Sequence, residues 1–111
     1  MLSRLLKLRT SQWISVFCLY LTISPVAADP FEAGLRAMER KHYATAMRAW
    51  RGLAKEGVPQ ALNNIGHLYE QGYGVSQDYL EAMNWYKQAA SKGLAEAEHN
   101  VGMLYSQGFG V

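Results

Sequence analysis

Laid against itself at an offset of 36 residues, this chain meets its own residue types again and again. Tyr43 falls on Tyr79, Ala46 on Ala82, Ala54 on Ala90, Gly57 on Gly93, Ala61 on Ala97 and Asn64 on Asn100. The match then runs on without a gap, placing Gly66, Leu68, Tyr69, Gly72, Gly74 and Val75 on Gly102, Leu104, Tyr105, Gly108, Gly110 and Val111. Periods of 20 to 50 residues are the signature of stacked units, each of which hides its apolar face only against its neighbours. The fold must therefore be a ladder of like parts, with equivalent positions in equivalent surroundings.

The rungs are helices. Apolar residues recur at steps of three and four, as Ala61, Leu62, Ile65, Leu68 and Tyr69 on one element and Tyr79, Ala82, Met83, Tyr86, Ala89 and Ala90 on the next. Strand alternation is absent. The ends are marked as well. Asp78 with Glu81 has capping-box spacing, in which the Asp accepts from a free backbone N–H and the Glu reaches back to the cap. Lys92 with Gly93, and Lys55 with Gly57, supply a cation and a left-handed stop. Asp29, Pro30 and Glu32 open the first helix in the same manner, with proline at the first helical position. Gly66 and Gly102 fall inside helices, where glycine costs up to about 1 kcal/mol relative to alanine. Close approach of a neighbouring helix, with Ala82 opposite and Tyr69 and Tyr86 alongside, is the expected compensation.

Residues 1–28 read as a separate unit. A basic start (Arg4, Lys7, Arg9) leads into an apolar stretch from Trp13 to Val26, followed by Ala27 and Ala28. This is the layout of a secretory signal peptide, with Val26 and Ala28 suited to cleavage after Ala28. The stretch falls short of the roughly 20 residues that a membrane span needs. Of the 11 Lys and Arg and nine Asp and Glu in the 111-residue chain, three cations leave with the leader. The mature part then has eight cations against nine acids, a net charge of −1, and no large basic field for nucleic acid. Arg36, Arg40, Lys41, Arg48, Arg51 and Lys55 gather in the first helix pair and are read as solvated faces. Cys18, the one cysteine, lies in the leader, so the mature part has no disulfide and its stability must come from packing. Phe17 before Cys18 argues against a lipid anchor.

The run Asn64-Ile65-Gly66-His67-Leu68-Tyr69-Glu70-Gln71-Gly72-Tyr73-Gly74-Val75, with Asp78, Tyr79, Ala82, Trp85, Tyr86, Ala89, Ala90 and Gly93 after it, resembles the Sel-1-like repeat. That family is related to tetratricopeptide repeats and has a longer Gly-x-Gly-Val turn inside each helix pair. The likeness covers nearly all of residues 31 to 111. It implies an all-α fold, an α/α superhelix or solenoid of antiparallel helix pairs, with about two and a half repeats after the signal peptide. The expected units are a first short-turn pair at 29–57, a full repeat at 58–93 and an incomplete repeat at 94–111. Gly34 to Tyr43 is nine residues where Gly66 to Tyr79 is thirteen, so the first turn is the short tetratricopeptide kind. The resemblance implies that such an opening unit is common in bacterial exported members.

If the family geometry holds, the first helix of each pair lines the concave face. Its non-core positions are Gln60, Asn63, His67 and Glu70 in one repeat and Glu96, His99, Met103 and Ser106 in the next. Each set has the spacing three, four, three, which keeps it on one helix face. These residues are the candidate contacts for a partner protein or peptide, and plain solvated surface is the bland alternative. His42, His67 and His99 show no helix-face spacing of three or four, and no metal or other cofactor is expected. Ser76, Ser91 and Ser106 lack a nucleophile elbow, so no active site is read and the chain is not expected to be an enzyme. Trp50, Trp85, Tyr69, Tyr86 and Tyr105 have the spacing of core aromatics.

Val111 closes the sequence inside a Gly-x-Gly-Val turn, where a second helix would begin to cover Val101, Leu104 and Tyr105. Residues 94 to 111 are expected to fray or to be covered by a second chain through self-association. A truncated gene or a fragment accounts for the ending equally well. The leading expectation is a non-catalytic interaction scaffold or adaptor of the bacterial periplasm or secreted space. Two rivals stand beside it. Cysteine-rich relatives have been described as penicillin-binding or β-lactamase-like enzymes, but they close each repeat with a disulfide that this chain lacks. The other rival is a membrane-tethered adaptor that keeps residues 1–28.

Overall fold

A computed structural model describes residues 29–110, so the leader, its cleavage site after Ala28, Cys18 and Val111 lie outside the described residues. Five helices follow one another: α1 (Pro30–Glu39), α2 (Tyr43–Lys55), α3 (Pro59–Gln71), α4 (Tyr79–Ser91) and α5 (Ala95–Ser106). No strand occurs among the described residues. Each helix packs on the one before it. The connections are three residues long except for 72–78, and such short links make neighbours run back on one another. The result is the expected all-α solenoid of repeats.

The helix starts and stops follow from local chemistry. Asp29 accepts from the N–H of Phe31 at 3.0 Å, with Pro30 next in the chain at the first helical position. Asp78 caps α4 by accepting from Leu80 and Glu81 at 3.0 and 3.1 Å. Only half of the expected capping box forms, because the Glu81 carboxylate accepts from the Trp85 indole N–H at 3.1 Å rather than reaching back to the cap. Gly57 and Gly93 stop α2 and α4 at φ of 79° and 86°. The short first turn has no glycine, and Lys41 takes φ 60° in its place.

Two glycines set the depth of the core. A Cβ on Gly34 would run into the Trp50 indole, and one on Gly66 would lie 2.7 Å from the Tyr86 ring and 3.2 Å from the Ala82 carbonyl. In each pair, then, a large aromatic from the second helix crosses directly over the backbone of the first. Trp50, Ile65 and Leu68 knit α2 to α3, and Tyr86, Met83 and Leu104 join α4 to α5. Leu62, Ala89 and Ala97 tie α3, α4 and α5 together. Each fully buried large side chain contributes about 1.5–3 kcal/mol of apolar burial.

The last helix departs from the expected equivalence. Tyr69 is half-buried, but Tyr105 is 47% exposed and does not belong to the core. Gly102 has nothing within 4 Å of an added Cβ, so close helix approach does not account for it. Both differences have one cause. No helix follows α5 among the described residues to supply the surface that α4 lays on α3. Trp50 and Tyr86 are buried as expected, and Trp85 is half-buried.

Candidate partner-binding face

The eight positions singled out on α3 and α5 meet different fates. His67, Glu96, His99 and Met103 are exposed, Met103 by 44%. Gln60 is exposed at the first turn of α3, where it borders a groove shared with Asp29, Phe31, Leu53 and Val58. Ser106 is exposed, but its hydroxyl turns back to donate to the Met103 carbonyl at 2.8 Å. Asn63 is a correction: it is only 2% exposed, and its Oδ1 accepts from the Asn100 amide at 3.0 Å. Its amide closes the contact between α3 and α5, because an unpaired polar group at that depth would cost about 1–3 kcal/mol. It is not available to a ligand.

Glu70 is partly committed as well. Its Oε2 accepts from the Tyr86 hydroxyl and lies 3.9 Å from His67 Nδ1. The Tyr86 phenol is held above its ordinary pKa, first by burial, then by the hydrogen bond and charge of Glu70, and finally by the charge of Glu96. Carboxylates from two successive repeats thus act on one buried hydroxyl. Beside them the His67 ring meets the edge of Tyr73, with centroids 6.1 Å apart and planes at 78°.

Tyr73 is the residue that reading the sequence passed over. It sits in the turn after α3, donates its N–H to the Leu68 carbonyl at 2.9 Å, stacks on Tyr43 and meets the His67 ring. Its counterpart 36 residues on is Phe109, whose N–H meets the Leu104 carbonyl at the same distance. A comparison by identity misses this pair, whereas a comparison by aromatic character finds it.

The arrangement offers polar contacts. Among the described residues no group of three His, Cys, Asp or Glu is placed to hold a metal ion, and no buried polar side-chain atom lacks a partner. No described helix is long and apolar enough to cross a membrane.

With this geometry in view, the model of the Sel1 repeat family matches residues 59–94 and 95–111. Comparison with curated proteins gives no match. Among solved structures, the chain is similar to a Sel1 repeat protein from Oxalobacter formigenes, at 34% identity and a TM-score of 0.69 over 73% of this chain. It is equally similar, at 34% identity and a TM-score of 0.69 over 74% of this chain, to a protective antigen of uropathogenic Escherichia coli strains that displays an SLR fold. The chain spans 33% of the first protein and 18% of the second.

Proposed function

This chain is a Sel1-like repeat protein, and from that premise we propose that it is an exported, non-catalytic adaptor that holds a partner protein or peptide along its first helices. Repeats of this fold generally mediate contact between proteins, and the family is typically a scaffold rather than a catalyst. One observation carries the reading to particular residues. His67 on α3 and its repeat equivalent Met103 on α5 are both exposed, with Glu96 and His99 exposed beside Met103. All four present exposed surface that a ligand could contact, with the His67 ring held beside Glu70 and Tyr73. Export rests on the basic start, apolar stretch and small-residue ending of residues 1–28.

The test is comparative capture from bacterial envelope extracts, using the wild-type chain and a variant with Gln60, His67, Glu96 and His99 changed to alanine. All four are exposed, so the fold should survive. A protein retained by the wild type and lost by the variant supports the face, and equal capture by both removes it. Mass measurement of the exported product tests the location: it should begin at Asp29.

A further inference from the structure

Three of the five described helices carry charge of one sign only, whereas α1 and α4 carry both. The first helices α3 and α5 together carry Glu70, Glu96 and Glu98 and no Lys or Arg, while the second helix α2 carries Arg48, Arg51 and Lys55 and no acid. Arg51 and Lys55, four residues apart on one side of α2, border a groove of about 380 Å³ completed by Ala54 on the same helix and by Trp85 and Gln88 on α4. No acid lines it. The nearest carboxylate to Trp85, that of Glu81, is already taken by the indole N–H, which leaves the carbon surface of the ring as the contribution of Trp85. Among the described residues no Lys or Arg has an Asp or Glu oxygen within 4.0 Å, so neither Arg51 nor Lys55 is paired there. A third cation stands close by, since a Cβ on Gly57 would lie 2.9 Å from Lys92 Nζ.

We propose that this groove between the second helices of two successive pairs, separate from the first-helix face, binds an acidic peptide segment of a partner protein. A carboxylate of the segment sits between the Arg51 guanidinium and the Lys55 ammonium, where a charge-assisted hydrogen bond forms with the planar fork of Arg51. A neighbouring apolar side chain of the segment lies on Ala54 and Trp85, and Gln88 offers an amide to the backbone. The mixed lining selects the occupant. A bare phosphate or a membrane surface would use the cations and leave the apolar floor empty, whereas a peptide uses both. A volume of this size, at the low end of the range for small-molecule sites, takes one or two side chains.

The test is fluorescence anisotropy of a labelled Glu-Leu-Glu-Leu-Glu peptide with the full-length chain, compared with the same peptide carrying Gln for Glu or Ala for Leu. The acidic, Leu-containing peptide should bind best. Arg51→Glu with Lys55→Glu should weaken it by roughly tenfold or more, while Arg36→Glu on α1 with Arg40→Glu at its C-cap should change it by less than about twofold. The four-alanine variant of the first-helix face should bind the peptide like wild type, which keeps this site distinct from that one. Arg51 and Lys55 are exposed, and an unchanged helical circular dichroism spectrum shows that their reversal leaves the fold intact. Three results overturn the proposal: no binding of the peptide, equal binding by the charge-reversed chain, or equal binding of the Ala-for-Leu peptide. Displacement of the peptide by inorganic phosphate or by phosphatidylglycerol vesicles at matching concentrations would also overturn it.

Discussion

Tyr79 stacks on Phe109 with ring centroids 4.2 Å apart and planes inclined by 8°. One repeat earlier Tyr43 stacks on Tyr73 in the same way, at 4.4 Å and 7°. In both cases the turn that follows a first helix folds back onto the opening residue of the second helix of the preceding pair. The glycine after each turn aromatic belongs to the same contact. Gly74 and Gly110 both have φ near 70°, and a Cβ on them would lie 2.8 Å from Tyr43 Cβ and 3.1 Å from the Tyr79 carbonyl, respectively. The Gly-x-Gly-Val turn is therefore a staple between repeats, and its variable position carries the ring.

Tyr73→Ala should cost about 2 kcal/mol, combining loss of the stacked pair with partial loss of apolar burial. Tyr73→Phe should be close to neutral, because Phe109 already does the same task. Thermal melting of the two variants checks this, and an unchanged Tm for Tyr73→Ala would mean that the turn contributes nothing to the stack of repeats.

Much of this fold was legible in the residues because its period writes the same environment more than once. Helix ends were readable where a short-range rule applies, as at Asp29, Asp78, Gly57 and Gly93. Glu81 departs from the capping-box rule because two groups compete for its carboxylate, and the Trp85 indole comes within its reach only once the helix has formed. Asn63 and Asn100 form a pair across 37 residues that no local pattern announces. Helical spacing points Tyr105 to the core, yet spacing says which face a residue occupies and not whether that face is covered. The candidate site suffered most from this, since exposure there depends on neighbours from another repeat.

Gly66 and Gly102 occupy the same repeat position and should respond to alanine in opposite ways. At Gly66 the new methyl would press on the Tyr86 ring at 2.7 Å, and overpacking of that kind costs about 1–3 kcal/mol. At Gly102 the methyl meets nothing, so the gain in helix propensity should stabilise the chain by up to about 1 kcal/mol. Destabilisation by both substitutions in parallel melts would show that α5 is covered in solution.

Asn63→Ala should cost about 1 kcal/mol by removing a buried amide and stripping the half-buried Asn100 amide of its partner. A double-mutant cycle with Asn100→Ala isolates the pair, and the second substitution should cost less once the first is made. Full additivity in the cycle would argue that the two amides do not meet.

Tyr86 ties the candidate face to stability through protons. Its phenol holds its proton in the folded chain well above the ordinary value of 10.0, chiefly through burial and then through Glu70. Unfolding returns it to that ordinary value, so below about pH 10 both states are protonated and the full contribution is present. Above it the unfolded chain releases the proton that the folded chain keeps, and stability falls with rising pH by about 1.4 kcal/mol per unit. Tyr86→Phe leaves the ring over Gly66 but removes both the hydrogen bond to Glu70 and the ionisable group. It should cost about 1 kcal/mol at neutral pH and should lose stability less steeply in alkali. Denaturant midpoints for the two chains between pH 8 and 11, a range set by the ordinary value of about 10, decide the matter. Parallel alkaline slopes would assign the effect to another group and leave Tyr86 as packing alone.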